Sequence, residues 1–440
     1  MVKVRKVVMS KNHLGTMEKE MQKWLPYETN GYGFGKLYDN GVAHITHVCD
    51  GGPKTERASI RCSGDEEYAT SVKEELRKQD PDIGLLGEFH VHPWNGEPML
   101  SNGDIKQLMD LKKARHWQFS MLMTKDGFQI WDVIDGCAHK IPCQIVNSNI
   151  SKEGVLDRIL KVTQNDVLTG KTVLIVGLGS GGSAISKYLG CSGIGKFILV
   201  DNEDLEAVNV IRHEGGLDDI GKPKTEICKR LIESHNPFAV VECHRFDTTN
   251  EIERLEGLAA QADLIIGSSG SAKVNHIINK ISLERGIPAV YGGVYERATG
   301  GFVLAVLPNE TACFNCLFKM ASEAYSVDKE AANRYGLSED ELHQQQGLWI
   351  NITFPSLILC NAALDILLSK KLKHNLFLYD SSMEIRKLMI IKSEECAVCN
   401  KETWIKSVSE TGTSEKSVRL SSIRQKLRVI LKRKGESHEH

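Results

Sequence analysis

The sequence contains no uninterrupted apolar run of the roughly eighteen residues that a membrane-spanning helix needs. Its charge is nearly balanced, with a formal net charge of -2, so no overall field draws the protein to nucleic acid or to a membrane. Residues 1–6 lack the apolar core of a secretory signal, and cysteine is scarce, at 12 of 440 residues. These absences predict a cytoplasmic protein whose cysteines are reduced thiols or metal ligands rather than disulfides. The length of 440 residues predicts two or three domains.

The most specific stretch is Phe89–Asp104, in which His90 and His92 alternate along a predicted strand. Side chains two residues apart on a strand lie on one face, so both imidazoles can bind one metal ion. The proline that follows ends the strand, and a helical pattern begins after Ser101, with Asp104 three residues later. Ser101 and Asp104 also fit a helix-capping box, but beside the histidines Asp104 becomes a third ligand. Three protein ligands that leave one position for water are typical of a catalytic zinc ion.

The run His-x-His-Pro, seven residues, Ser-x-x-Asp resembles the signature of the JAMM (Mov34/MPN/PAD-1) metalloprotease family, and this sequence matches it at every fixed position. The resemblance implies that His90, His92 and Asp104 hold zinc and that Ser101 helps to hold the tetrahedral intermediate. We therefore expect a zinc-dependent peptide or isopeptide hydrolase.

The same resemblance implies an upstream glutamate that takes a proton from the attacking water. Glu28, in the run Tyr-Glu-Thr-Asn-Gly, is at the matching position. Glu88 is the rival candidate because it shares the strand face of the two histidines, although orienting a ligand is the more usual role for such an acid. A base must reach the water that it deprotonates, which the sequence alone does not decide.

Short strands and helices surround this motif and predict a compact α+β domain over residues 1–145, followed by a linker over 146–154. The patterns predict strands at Val4–Met9, Phe119–Met123 and Phe128–Val133, and helices at Thr16–Trp24 and Glu66–Lys78.

A second domain, residues 155–400, opens with a predicted buried strand, Thr172–Val176, a glycine-rich turn and a helix. The turn contains Gly177, Gly179 and Gly182, which let the backbone approach a phosphate at the helix N-terminus. The next strand ends at Asp201, an acid placed to bind ribose hydroxyls. This order predicts an α/β Rossmann-like nucleotide-binding fold.

The residues after Asp201 favour ATP over a dinucleotide. Asn209, Arg212 and Lys224 resemble the Asn-x-x-Arg and Gly-x-Pro-Lys elements of the ThiF/MoeB family, the adenylating relatives of ubiquitin-activating enzymes. The resemblance implies ATP-dependent formation of an acyl-adenylate on the C-terminal glycine of a ubiquitin-like protein. Arg158 resembles the arginine that family members lend to the partner subunit's triphosphate, which implies a homodimer.

Two Cys-x-x-Cys pairs predict a second zinc ion. They are Cys313 with Cys316 and Cys396 with Cys399, and the same paired cysteines recur in the ThiF/MoeB family. Four thiolates close a tetrahedral site and leave no position for water, so this zinc ion is expected to be structural.

Two departures from that family concern chemistry. Gly270 lies where the family has a magnesium-binding acid, and Asp263 is at the wrong end of its strand to replace it. We therefore expect one of three outcomes: adenylation is slow, another acid binds the magnesium ion, or adenylation is absent. The one further cysteine between the zinc pairs, Cys360, lies in the apolar run Ser356–Leu368, where we expect a buried structural role rather than a thioester.

Residues 401–440 form a basic tail that we expect to be partly disordered or helical, and to be solvated or to dock a partner. The motifs together predict a bifunctional protein that processes and activates the C-terminal tail of a ubiquitin-like protein, with a conjugating enzyme as a further partner. One alternative is a zinc peptidase whose nucleotide-binding domain is a scaffold and does not adenylate. Another is an enzyme that trims and activates a sulfur-carrier protein for cofactor synthesis. No membrane span and no nucleic-acid partner are expected.

Overall fold

The computed structural model describes residues 3–59, 62–94, 96–115, 118–148, 150–163, 165–294, 300–317, 348–380, 382–392, 396 and 398–399. The chain divides into two compact units. The first extends to Arg158 and includes Pro237–Val240, and the second comprises Ile159–Asn236 and the residues from Val241 onward. A helix begins at Lys152, inside the predicted linker, and continues to Leu160, so that linker is irregular only in part. The predicted basic tail, 401–440, lies outside the described residues.

The first unit contains an eight-stranded mixed sheet, a separate two-stranded ribbon and four helices. In chain order, strands β1–β10 are Lys6–Ser10, Thr29–Leu37, Val42–Asp50, Glu56–Arg57, Cys62–Ser63, Gly84–Val91, Phe119–Thr124, Gly127–Ile134, Cys137–Ile141 and Cys143–Val146. Helices α1–α4 are Lys11–Trp24, Glu66–Gln79, Asn102–Arg115 and Lys152–Leu160. The sheet order is β10-β1-β3-β2-β6-β7-β8-β9, and β4 pairs with β5.

Strand β6 presents two chemically different faces because its side chains alternate. Phe89 and Val91 are fully buried in an apolar core that also contains Met17 of α1 and Met121 of β7. Glu88, His90 and His92 alternate with these two residues and belong to the opposite face of the sheet. Turning the strand over would expose Phe89 and Val91 and lose the free energy of burying them, so the three polar side chains stay on the face away from the apolar core.

Helix α1 begins five residues earlier than the predicted Thr16. Its N-cap is Ser10, whose hydroxyl accepts from the backbone N–H of His13 at 3.4 Å. The His13 ring nitrogen Nδ1 accepts from the N–H of Ser10 at the same distance, so the two residues form a reciprocal capping box. The usual template has Glu or Gln at the third helical position, so a histidine there gave no recognisable signal.

The second unit contains another eight-stranded sheet, with strands β11–β18 at Thr172–Val176, Lys196–Val200, Val240–His244, Leu264–Gly267, Ala289–Val294, Gly300–Val306, Leu376–Asp380 and Ile385–Leu388. Its helices α5–α9 are Ser180–Gly190, Lys224–His235, Ile252–Ala259, Ala272–Arg285 and Trp349–Leu367, and its 3-10 helices are Asn165–Gly170, Ala207–Arg212 and Leu217–Asp219. The sheet order is β13-β12-β11-β14-β15-β16-β17-β18.

This sheet reverses its strand order between β11 and β14. β12, β11, β14 and β15 are parallel, and β16 to β18 continue the sheet with antiparallel pairings. Such a doubly wound order places a ligand-binding crevice outside the carboxyl ends of the strands where the order reverses. The α/β Rossmann-like prediction is confirmed, and the strand predicted at Thr172–Val176 has those bounds.

Helix α9 is the one helix in the described part of the chain that is long and apolar enough to cross a membrane. Its mean hydropathy is 1.6, and it packs against α5, β15 and β16 of the second unit. Length and composition alone are weak evidence for a membrane span, because core helices meet the same criterion. Cys360 lies in this helix and is buried, as predicted, with its Sγ atom 4.0 Å from the carbonyl oxygen of Ile185.

Candidate metal and nucleotide sites

The end of strand β6 and the start of β2 bring the predicted zinc residues together. His90 lies in β6, and His92 is the first residue after the end of that strand. β2 runs antiparallel to β6 with Thr29 opposite Val91, which places Glu28 beside His92. The Oε1 atom of Glu28 is 3.9 Å from Nε2 of His92.

Asp104 reaches this cluster from the first turn of α3. Its backbone N–H donates to Oγ of Ser101 at 3.2 Å, and its Oδ2 atom accepts from the N–H of Ser101 at 2.7 Å. These bonds form the capping arrangement that the sequence predicted, and they fix the carboxylate in one orientation. Burial alone would raise the pKa of Asp104, but the close approach of His90 and the hydrogen bonds of Ser101 hold it well below its usual range. The side chain is thus a carboxylate.

The geometry of the three predicted ligands fits a zinc ion. Oδ1 of Asp104 is 3.6 Å from Nε2 of His90, and Oδ2 is 3.6 Å from Nε2 of His92. All three ligand atoms lie within 4.8 Å of one another. Zinc bound tetrahedrally at about 2.1 Å separates nitrogen and oxygen ligands by about 3.4 Å. Nε2 of His90 is buried with no hydrogen-bond partner among the described residues, and a metal ion would satisfy that atom.

The protonation of the two histidines differs. Burial, followed by the charge of His90, lowers the pKa of His92 to about 4, so its ring is neutral and offers a lone pair. Burial would also lower the pKa of His90, but the carboxylates of Asp104 and Glu88 raise it above its ordinary value. A metal ion must therefore displace a proton from His90 to bind there.

Both candidate bases are buried acids. Glu28 is 7% exposed, and burial raises its pKa to about 7, with the charge of His90 opposing the shift. Burial likewise raises the pKa of Glu88 to about 7, and the side chain of Asn30 hydrogen-bonds to Glu88. Glu28 lies close to one of the predicted zinc ligands, with its Oε1 atom 3.9 Å from Nε2 of His92. The geometry is thus consistent with Glu28 as the base and with Glu88 as an orienting group.

Sequence reasoning missed Ser120, on the neighbouring strand β7. Its Oγ atom lies 3.2 Å from Nδ1 of His90, and both side chains are buried. The residue belongs to no motif, and its relevance depends on the pairing of β6 with β7, which local sequence patterns do not reveal.

The four predicted cysteines also meet. Sγ of Cys313 is 3.8 Å from Sγ of both Cys316 and Cys396, and Sγ of Cys316 is 3.5 Å from that of Cys399. Zinc bound to four sulfurs at about 2.3 Å separates them by about 3.8 Å. Disulfide sulfurs would be about 2.05 Å apart. Hydrogen bonds from Cys316 and Cys399 lower the pKa of Cys313 to about 4, which favours a thiolate ligand.

The glycine-rich turn lies at the strand reversal. Gly177 has φ of +89°, and a Cβ atom there would lie 2.3 Å from Cα of Ser269 in the loop after β14. A Cβ at Gly182 would lie 2.0 Å from the carbonyl oxygen of Gly177. At Gly179, the N-cap of α5, a Cβ would meet nothing within 4 Å, so protein packing does not require glycine there. Space in front of a helix N-terminus is where a phosphate binds.

Two side chains clamp the backbone of Leu178 in this turn. Oδ2 of Asp201 accepts from the N–H of Leu178 at 2.6 Å, and Oδ1 accepts from the N–H of Glu203 at 2.8 Å. His213, which the sequence analysis missed, accepts at Nδ1 from the N–H of Gly215 at 2.8 Å, so its Nε2–H donates to the Leu178 carbonyl at 3.0 Å. Each carboxylate oxygen of Asp201 retains a lone pair for a ribose hydroxyl.

The predicted phosphate-binding residues lie close behind the turn. Lys224 begins α6, is 4% exposed and forms an ion pair with Glu203. Its charge lowers the pKa of Asp201, although burial outweighs this and raises that pKa overall. Asn209 and Arg212 are half-buried on the 3-10 helix Ala207–Arg212.

Arg158 is exposed on α4. No partner chain is present, so its role toward a second subunit stays a prediction.

Gly270 lies where the resemblance placed a magnesium-binding acid, and its backbone conformation disfavours a side chain there. Gly270 has φ of +72°, a region that L side chains adopt only with strain. Asp263 lies at the opposite end of β14, where Oδ1 pairs with Lys171 at 3.1 Å and Oδ2 accepts from the N–H of Thr172 at 2.8 Å. Neither residue offers a magnesium ligand at the crevice.

Comparisons with known proteins match the second unit. Ubiquitin-like modifier-activating enzyme 5 of Dictyostelium discoideum is 28% identical over 220 residues, which cover 48% of this chain and 58% of the relative. The same-named enzyme of Caenorhabditis elegans is 27% identical over 208 residues, or 45% and 49% of the two chains. The chain thus spans about half the length of these relatives.

A crystal structure of E. coli MccB with succinimide superposes with a TM-score of 0.47 and 20% identity, over 57% of this chain and 75% of that one. At that level the superposition carries no argument about function. The model of the ThiF family matches residues 150–399, more than half of the sequence. This range contains the nucleotide turn and the cysteine cluster, and it does not contain the histidine cluster. The chain belongs to the ThiF family.

Proposed function

We propose that the protein hydrolyses a peptide or isopeptide bond at the histidine cluster and adenylates the C-terminus of a ubiquitin-like or sulfur-carrier protein in its ThiF unit. The observation that supports the hydrolase is the convergence of His90, His92 and Asp104 within 4.8 Å, with a buried unpartnered nitrogen on His90. Family membership and the likeness to ubiquitin-like modifier-activating enzyme 5 support the adenylating half.

In the hydrolase half, His90, His92 and Asp104 would hold a zinc ion, which when bound would supply a Lewis acid to polarise the scissile carbonyl and lower the pKa of water. Glu28 takes a proton from the attacking water and returns it to the leaving amine, and its pKa near 7 suits both steps. Oγ of Ser101 accepts from Asp104, so its own O–H can donate to the developing oxyanion.

In the ThiF unit, Lys224 and Arg212 face the triphosphate and stabilise charge on the departing pyrophosphate. Asp201 binds the ribose hydroxyls, and the turn at Gly177–Gly182 takes a phosphate. A homodimer in which Arg158 reaches the partner's nucleotide belongs to the same proposal, as does a cytoplasmic location. Both halves then act on one tail, because hydrolysis exposes the C-terminus that adenylation needs.

A second candidate is a zinc peptidase whose ThiF unit binds a nucleotide without adenylating. The conformation of Gly270 supports it, since the crevice has no carboxylate at that position to hold magnesium against the phosphates.

One sample tests both candidates. The purified full chain is incubated with ubiquitin-like proteins that carry a C-terminal extension, and cleavage is followed by mass spectrometry with and without a chelator. Pyrophosphate exchange into ATP is measured with the same proteins lacking the extension. Chelator-sensitive cleavage with exchange supports the bifunctional proposal. Cleavage with ATP binding but no exchange supports the scaffold, and chelator-insensitive cleavage contradicts the zinc hydrolase.

A further inference from the structure

We propose that Ser120 is a positioning residue that holds the His90 ring with Nε2 toward Asp104 and His92, the orientation in which that nitrogen can bind a metal ion. The inference rests on the proposed zinc site. Its starting observation is the 3.2 Å distance between Oγ of Ser120 and Nδ1 of His90, on side chains that are 1% and 6% exposed respectively.

The sheet register brings the two residues together. β6 and β7 are parallel, with Glu88 opposite Ser120 and His90 opposite Leu122. The contact therefore runs diagonally across one face of two central strands. Because the backbone of both strands is fixed by the sheet, the Ser120 hydroxyl cannot follow His90 if the ring rotates.

The chemistry of a neutral imidazole makes this contact decisive. One ring nitrogen carries the proton, and the other carries the lone pair that can bind a metal ion. Nε2 of His90 faces Asp104 and His92 and lacks a hydrogen-bond partner within the described residues. A metal ion bound at Nε2 would leave the ring proton on Nδ1, and Oγ of Ser120 is placed to accept a hydrogen bond from it.

His92 is held differently, which indicates that the serine contact is specific to one ligand. The His92 ring stacks on Trp94 at 5.0 Å with an angle of 20° between the planes, and its backbone N–H donates to the carbonyl oxygen of Met123 at 2.9 Å. Packing against an aromatic ring fixes the plane of an imidazole but not which edge of the ring faces the cluster. For His90, the contact of the hydroxyl with Nδ1 also fixes the direction in which Nε2 points.

Groups that hydrogen-bond to a metal-binding histidine typically change metal affinity by about 10- to 100-fold when removed. We therefore expect Ser120→Ala to weaken zinc binding at the histidine cluster by about that factor, and Ser120→Thr, which keeps the hydroxyl, to restore it. Ser10→Ala removes another buried hydroxyl from the same unit and serves as the matched control.

The experiment titrates the full-length chain and its variants with zinc in competition with a chromophoric chelator, and compares His90→Ala in the same series. Nitrogen-15 spectra of the histidine rings in the zinc-loaded protein report the Nδ1–H of His90, whether or not a variant loses some stability. The expected result is an Nδ1 resonance that is shifted in Ser120→Ala from its position in the unmodified chain and restored in Ser120→Thr.

A zinc affinity of Ser120→Ala within twofold of the Ser10→Ala control, or an unchanged His90 Nδ1 resonance, would overturn the inference while leaving the zinc site in place. If His90→Ala itself leaves zinc binding unchanged, the proposed zinc site is wrong, and the two failures are thereby distinguished.

Discussion

The histidine cluster and the cysteine cluster differ in the number of protein ligands and in what lies beside them. Four sulfurs surround the space between Cys313, Cys316, Cys396 and Cys399, and these residues are largely buried. Three ligands of mixed type form the other cluster, and Glu28 lies 3.9 Å from one of them. A closed set of four thiolates holds a metal ion for stability, whereas three ligands beside an acid leave a position for chemistry. The comparison teaches that ligand number, rather than burial, separates the two roles.

The largest expected effect concerns the cysteine cluster. Cys396→Ser combined with Cys399→Ser should lower the free energy of unfolding of the second unit by more than about 4 kcal/mol, because loss of a structural metal is among the most destabilising changes. Denaturant unfolding followed by circular dichroism measures it. Cys137→Ser, at an exposed free thiol, is the control. Equal stability of the two variants would contradict a structural role for the cluster.

The next largest effect concerns Glu28, the acid beside the histidine cluster. Glu28→Gln should reduce the cleavage rate by about 10²- to 10⁴-fold while zinc content is retained, because a base is not a ligand. Glu88→Gln should reduce the rate less, since that acid hydrogen-bonds to Asn30. Steady-state cleavage rates with metal analysis of each variant test this. The reverse ranking would assign the base to Glu88.

The comparison extends to the proposed nucleotide site of the second unit. Lys224→Ala should weaken ATP binding by roughly 1.5–3 kcal/mol, or about ten- to hundredfold in Kd, through loss of a charged phosphate contact. Isothermal titration calorimetry measures it. The matched control is Lys222→Ala, two residues earlier and paired with Asp219 on the surface. An equal effect of both substitutions would show that Lys224 contributes only general positive charge to ATP binding and no specific phosphate contact.

The smallest effect concerns the missing magnesium acid. Gly270→Ala should destabilise the second unit by about 1 kcal/mol, because a side chain at φ of +72° is strained. Gly257→Ala, in helix α7 with open space around it, should instead be neutral or stabilising. Thermal unfolding of both variants tests the difference. A Gly270→Ala chain as stable as the unmodified one would show that strain does not exclude other residues there.

The sequence predicted what depends on local spacing. The alternation of His90 and His92, the cap at Ser101 and the strand Thr172–Val176 all follow from patterns within a few residues. Ser120 and His213 were missed because their roles depend on contacts between residues about 30 positions apart or more, which only the sheet order and the loop packing bring together. The capping histidine of α1 was missed for a different reason, since His is not the usual residue at that helix position.

The most direct test of the central claim is the zinc content of the purified chain, measured by elemental analysis. The account predicts two zinc ions per chain, one lost in His90→Ala combined with His92→Ala, and the other lost in Cys313→Ser combined with Cys396→Ser. Each double variant should keep the zinc ion of the cluster that it leaves intact. A single zinc ion that is unaffected by the histidine substitutions would contradict the catalytic zinc site, and the hydrolase proposal would fail with it.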